Sequence, residues 1–203
     1  MGNEEPRGSL FFVRTGKSAT TSTAGQPKPR VAVFVDGSNL HHRLQDCGWP
    51  TDVDVAGFAQ RLAGARRVTA IYYYNVPPPR THRPEQIAAQ RRYYARIEAR
   101  GAVVFRMGHL QERKIGGKSI FEEKGVDVTL TVDMLSGAHQ NLFDTAILVS
   151  SDGDFAPLVG EVRRRGKRVE YVYFPRTKRS RALQQVCNIS RECRLAWVVQ
   201  FES

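Results

Sequence analysis

The sequence predicts an α/β fold: a largely parallel, doubly wound sheet with helices on both faces. Three observations carry this. Five short apolar runs are continuous rather than alternating, the pattern of strands covered on both sides. Helical stretches separate them, as in successive βαβ units. With 41% hydrophobic and 25% charged residues, the 203-residue chain has ordinary globular composition and enough apolar material for a core.

The elements follow in chain order. Residues 1–29 are rich in Gly, Ser, Thr, Lys and Pro. They read as a flexible tail that buries too little surface to offset its ordering entropy. The Leu10-Phe11-Phe12-Val13 patch either frays with this tail or pairs against a sheet edge or a partner. The globular domain is expected over 30–203. Val31–Val35 is the first strand, followed by a helix from about Asn39 to Asp46. Thr51 or Asp52 is placed to cap a second helix reaching Ala63. Val68–Tyr74 is the next strand; Pro84-Glu85 opens a long helix that Gly101 stops. After the short strand Ala102–Arg106, Gly116-Gly117 sits between two semi-polar runs and makes Met107–Phe121 a hairpin-like protrusion. This protrusion shapes either a substrate groove or a contact between two copies of the chain. Helix Gly125–His139, strand Thr145–Val149, helix Phe155–Arg165 and strand Arg168–Tyr173 then alternate, with a last helix over Ser180–Val186 and a final edge strand over Leu195–Gln200.

Function classes narrow from the same composition. No run of about 18 apolar residues exists to span a membrane. Leu10–Val13 is too short for the core of a secretory signal. Cys47, Cys187 and Cys193 form an odd, sparse set that fits a reduced cytoplasmic compartment and argues against a cysteine-based zinc site. Thirty-one Lys and Arg against twenty Asp and Glu leave a net charge of +11, which points to an anionic partner such as nucleic acid.

In an open parallel sheet, sites form beyond the carboxyl ends of the strands. The first strand ends in Val35-Asp36-Gly37-Ser38-Asn39 and the fourth in Val149-Ser150-Ser151-Asp152-Gly153-Asp154-Phe155. If these strands lie side by side, Asp36, Asp152 and Asp154 converge. Glu122-Glu123-Lys124-Gly125-Val126-Asp127 opens the next helix and brings Asp127, in its first turn, to the same crevice. Asp133 lies six residues later, about 9 Å along the axis and roughly 120° around it, which favours a structural bond to an amide or an arginine. Each acid also has a plain structural role open to it: Asp36 and Asp152 can cap the helices that follow them. Clustered carboxylates repel unless a cation intervenes, and an all-oxygen set favours Mg²⁺ or Mn²⁺. Such an ion beside a basic surface suits phosphodiester hydrolysis. Aspartate-type phosphatases are disfavoured, because they need an acid where Ser38 stands.

These three segments, Val33–Asn39, Lys124–Val128 with Asp133, and Val149–Phe155, resemble the NYN domain family (LabA-like) of the PIN-like nuclease superfamily, over about residues 31–175. The resemblance implies a PIN-like three-layer sandwich with a mainly parallel central sheet flanked by helices. It also implies a metal-dependent endoribonuclease cutting RNA, usually single-stranded. Carried over by position, the catalytic and metal-holding acids are Asp36, Asp127, Asp152 and Asp154, with Asn39 as a polar companion. Lys124 either pairs with one of the acids or meets a phosphate, and Ser151 stands where the family often has glycine. Because members of the family can be poorly active, the alternative is an RNA-binding or scaffolding module that keeps the fold but cuts little.

Two stretches supply the basic surface. Residues 163–181 hold nine cations against the single acid Glu170; Arg176, Lys178, Arg179 and Arg181 begin where the fifth strand ends and join Asn39, Lys124 and Ser151 as candidate substrate contacts. Arg91, Arg92, Tyr93, Tyr94, Arg96 and Arg100 mix cations with rings on the third helix, either to stack unpaired bases or as a solvated face with half-buried tyrosines. Tyr72-Tyr73-Tyr74 reads as sheet packing rather than a stacking platform, and His41 and His42 as solvent-facing on a short helix, with proton shuttling near Asp36 as the alternative.

Overall fold

The computed structural model describes residues 28–198, apart from 80, 117 and 178. The expected tail, with Leu10–Val13, therefore falls outside the described residues except for its last two positions. Eight strands and six helices follow in order: β1 (Arg30–Asp36), α1 (Gly37–Cys47), α2 (Val55–Ala63), β2 (Arg67–Asn75), α3 (Pro84–Ala99), β3 (Val104–Met107), β4 (His109–Ile115), β5 (Lys118–Lys124), α4 (Val126–His139), β6 (Thr145–Val149), α5 (Ala156–Arg164), β7 (Arg168–Tyr173), α6 (Arg181–Val186) and β8 (Ile189–Glu192).

Six strands form one parallel sheet in the order β3-β2-β1-β6-β7-β8, and β4 and β5 form a separate antiparallel hairpin. The expected α/β sandwich is what the chain adopts. Val31, Val33 and Val35 of β1 pack with Leu40, Leu44, Phe58, Leu62 and Ile97 of α1, α2 and α3. Ala32 and Phe34, pointing the other way, pack with Leu130, Met134, Val159, Val162 and Leu183 of α4, α5 and α6. Period-2 alternation along one buried strand thus feeds two separate cores, one on each face.

Three local expectations change. Asp54, not Thr51 or Asp52, caps α2, its Oδ1 accepting from the Ala56 and Gly57 amides at 3.1 and 3.2 Å. Glu122, Glu123 and Lys124 belong to β5 rather than to the entry of α4, because the hairpin pairs from Ile115↔Lys118 back to His109↔Lys124. The last strand is Ile189–Glu192, beside β7; Leu195–Trp197 is a 3₁₀ turn, and positions 199–200 lie outside the described residues. Sheet pairing there goes to the segment whose backbone reaches β7, since Asn188 N–H donates to the Val169 carbonyl at 2.9 Å and Cys193 N–H to that of Tyr173 at 2.7 Å. Among the described residues, no helix is long and apolar enough to cross a membrane.

Candidate active site

β1 lies between β2 and β6, so the chain runs outward in one direction through β2 and β3 and in the other through β6, β7 and β8. The crevice at the carboxyl ends of β1 and β6 is therefore the topological switch point, where open α/β sheets bind ligands. The two segments singled out in the sequence meet there: Val35 of β1 is in register with Val149 of β6, and Asp36 and Ser150 follow directly.

Asp36 is buried and holds two bonds. Its Oδ1 accepts from Asn39 N–H at 3.0 Å, which caps α1, and its Oδ2 accepts from Ser150 Oγ–H at 2.9 Å. Ser150 Oγ in turn accepts from Asp152 N–H at 3.2 Å, and Asp152 Oδ1 accepts from Asp154 N–H at 2.9 Å. Asn39 Oδ1 accepts from Ser151 N–H at 3.0 Å, tying the start of α1 to the end of β6. Asp36 thus caps α1 as expected, whereas Asp152 caps the 3₁₀ turn Gly153–Phe155 ahead of α5, whose own N-cap is Phe155. At Gly37 the chain turns against β2 so closely that a Cβ would fall 2.6 Å from the Tyr74 carbonyl oxygen and from the Tyr73 ring.

Burial pushes the Asp36 carboxyl up to about 6, and the charges of Asp127 and Glu123 add to the rise, against the opposing bonds from Asn39 and Ser150. Asp127, exposed in the first turn of α4, is also raised: by desolvation first, then by Asp152, Glu123 and Asp154. The five carboxylates therefore share one electrostatic neighbourhood. Glu123 is the member that sequence reasoning missed, because the hairpin and not a helix delivers it. Its Oε1 accepts from Ser38 Oγ–H at 2.7 Å, beside Asn75 Oδ1 at 3.2 Å from the same hydroxyl. The only signal in the sequence was its place in the Glu122-Glu123-Lys124 run.

Other candidates fall elsewhere. Asp133 Oδ2 accepts from Tyr74 OH at 3.1 Å and Arg106 Nε at 3.0 Å, which gives it the structural role its helix geometry favoured. Lys124 Nζ pairs with Glu122 at 3.0 Å, on its own strand, and not with the gathered acids. Ser151 Oγ is buried with no hydrogen-bond partner among the described residues. Arg176 and Arg181 are exposed; Arg179 pairs with Glu192 at 2.8 Å and lies over the Tyr173 ring at 4.3 Å; Lys178 lies outside the described residues. Arg163, Arg164, Arg165, Lys167 and Arg168 stand at the end of α5 and the start of β7, the edge of the sheet opposite the acids. Arg164 and Arg165 are bound there to Glu161.

Beside the acids, a cleft of about 820 Å³ opens between α1, α3, the end of β2 and the hairpin; Ser38, Asn75 and Glu123 form part of its wall. Tyr93 and Tyr94 of α3 are half-buried in it, and Tyr94 OH donates to the Val76 carbonyl at 3.0 Å. His41 and His42 are exposed on its rim, as expected.

Among the described residues, no three His, Cys, Asp or Glu side chains are close enough to form a ready metal cluster. The donor set nonetheless fits a hard cation that keeps much of its water: Mg²⁺ is commonly held by one or two carboxylates plus waters and substrate phosphate. Burial first, and the neighbouring charges after it, disfavour the ionised forms of Asp36 and Asp127, which such a charge would offset.

The profile of the NYN domain matches residues 30–191, the whole sheet and all three acid-bearing segments. The chain belongs to the NYN domain family. This NYN chain is 25% identical over 146 residues to the low amplitude and bright protein LabA of Synechococcus elongatus, covering 70% of this chain and 73% of LabA. A crystal structure of a protein of unknown function from Vibrio parahaemolyticus shares the fold, with a TM-score of 0.62 at 23% identity over 83% of this chain and 94% of that one. The NYN domain places the chain in the PIN-like nuclease superfamily.

Proposed function

We propose that this NYN protein is a Mg²⁺- or Mn²⁺-dependent endoribonuclease acting on single-stranded RNA. The observation that carries the reading is that Asp36, Glu123, Asp127, Asp152 and Asp154 share one electrostatic neighbourhood at the switch point, with Asp36 and Asp127 raised first by burial and then by these charges. When bound, the cation would polarise the scissile phosphate, activate water and offset charge on the leaving oxygen. Asp36, Asp127, Asp152 and Asp154 would hold it. Asn39, its Oδ1 fixed by Ser151 N–H, keeps its Nδ2 donors for a phosphate oxygen. Arg176 and Arg181, exposed on the same edge, hold the strand through phosphate contacts.

The spread of the acids favours a second reading, an RNA-binding module that cuts little. One assay separates them: labelled single-stranded RNA with Mn²⁺, Mg²⁺ or a chelator, with Asp36→Asn and Asp152→Asn alongside. The nuclease reading expects metal-dependent cutting that falls roughly 10²–10⁴-fold in either variant. Cutting that survives chelation or either substitution overturns the metal site. Salt-sensitive binding without any cutting supports the binding module.

A further inference from the structure

The cleft beside the acids has a chemistry distinct from theirs. Its wall carries half-buried rings, Tyr93, Tyr94 and Phe121, and exposed hydrogen-bonding groups, His41, His42 and Arg92. Its volume, about 820 Å³, lies within the roughly 300–1,000 Å³ in which clefts bury small organic ligands. It is also continuous with the site: Ser38 Oγ donates to Glu123 Oε1 at 2.7 Å, and Ser38 and Glu123 both border the cleft.

Charge decides what can enter. Glu123 stands where the cleft meets the acids and repels a phosphate group there, whereas a nucleobase is uncharged and flat. A strand whose phosphate lies over the acids therefore runs its backbone along the crevice and has only a base to turn sideways. Unpaired bases can be splayed out, stacked on aromatic rings and hydrogen-bonded along their edges; paired bases cannot. We propose that this cleft is a nucleobase pocket, seating one unpaired base next to the phosphate held at the acids, with Phe121 offering a ring face and His41, His42 and Arg92 reading the base edge. The identity of that strand as RNA rests on the nuclease reading; the pocket itself does not need turnover.

The test is a nuclear magnetic resonance titration of the full chain with Mg²⁺ present, using probes that carry no phosphodiester bond and so cannot be cut. The probes are the four nucleoside monophosphates and, as the base-free control, ribose phosphate. Nucleoside monophosphates are expected to shift the amide signals around His41, Tyr93 and Phe121, and ribose phosphate to leave them in place. The double variant His42→Ala/Arg92→Ala, changed only at exposed positions, should bind the best nucleotide at least about fivefold more weakly, since it removes two groups that hydrogen-bond the base edge. Identical shift maps for probes with and without a base overturn the pocket. So do an absence of shifts at the cleft and a double variant that binds like the parent. Failure of RNA cutting with base-dependent shifts intact removes the nuclease reading and leaves the pocket standing; cutting with no base-dependent shifts does the reverse.

Discussion

At the scale of single residues, Asp36 carries an internal conflict. Its carboxylate caps α1 and accepts from Ser150, yet it is buried beside Asp127 and Glu123. Unfolded, it titrates near 3.8; folded, near 6. The folded state therefore binds more protons between those values, and stability falls as pH rises through that window. The penalty is complete above about pH 6 and absent below the unfolded value, and a shift of this size corresponds to roughly 3 kcal/mol. Asparagine keeps an acceptor for the Asn39 amide and loses the charge. Asp36→Asn is thus expected to raise the melting temperature at neutral pH, and to raise it less at acidic pH, while removing cleavage. Mg²⁺ or Mn²⁺ should raise the melting temperature of the parent at neutral pH more than that of the variant. Calorimetry across pH checks both; a variant that melts lower than the parent at neutral pH refutes the conflict at Asp36.

At the scale of elements, strand ends and the hairpin divide the work. β1 and β6 place Asp36, Asp152 and Asp154 by pairing, and the end of β5 delivers Glu123 one turn before α4 presents Asp127. The hairpin's position depends on Gly108, between β3 and β4. A Cβ there would sit 2.5 Å from the Lys124 carbonyl oxygen and 2.9 Å from Val126 Cγ2. Gly108→Ala must push the junction of β5 and α4 away from the turn between β3 and β4, so it is expected to destabilise by about 1–3 kcal/mol, as overpacking does. Because the displaced segment carries Glu123 and Asp127, cleavage should fall further than the lost stability explains. Denaturant titration beside the cleavage assay tests this; wild-type activity in a destabilised Gly108→Ala would show that the hairpin does not set the site.

At the scale of the whole molecule, charge is sorted between the two edges of the sheet. The nine cations of residues 163–181 read as one patch along the sequence, but β7 separates them. Arg163–Arg168 lie at its start, whereas Arg176, Arg179 and Arg181 follow its end, the carboxyl edge of the sheet on which the acids stand. Arg66 and Arg191 are spent inward on buried Glu170, at 2.5 and 2.7 Å. RNA affinity should therefore depend on position and not on net charge. Arg176→Gln/Arg181→Gln is expected to weaken binding and to lower the slope of log affinity against log salt by about 1.4, near 0.7 per phosphate contact on a single strand. Arg163→Gln/Arg164→Gln removes the same charge at the far edge and should leave both unchanged. Equal losses from the two pairs, read by fluorescence anisotropy across salt concentrations, would mean that RNA is held by diffuse charge alone.

Much of this was legible before any fold was known. Val31–Val35 announces a doubly covered strand by being apolar at every position, and Asp36 and the Asp152-Gly153-Asp154 turn mark strand ends by their acids and glycines, because such signals are local and depend on a few adjacent residues. The site's wider composition was not. Glu123 looked like the opening of a helix because a run of two glutamates and a lysine reads the same in either setting; only its pairing with Leu110 across the hairpin puts it on a strand facing the acids. Lys124 looked like a partner of the site, and its contact with Glu122 draws it away, whereas Asp133 bonds Arg106, as its place along the helix favoured. The sequence by itself determined the α/β class, the strand ends and the acids standing on them, since apolar continuity and turn residues act over short distances. Which carboxylates share a neighbourhood, which cations lie on their edge of the sheet and that an aromatic cleft adjoins them emerge from the folded chain, because they depend on strand order and on contacts between residues far apart in the chain.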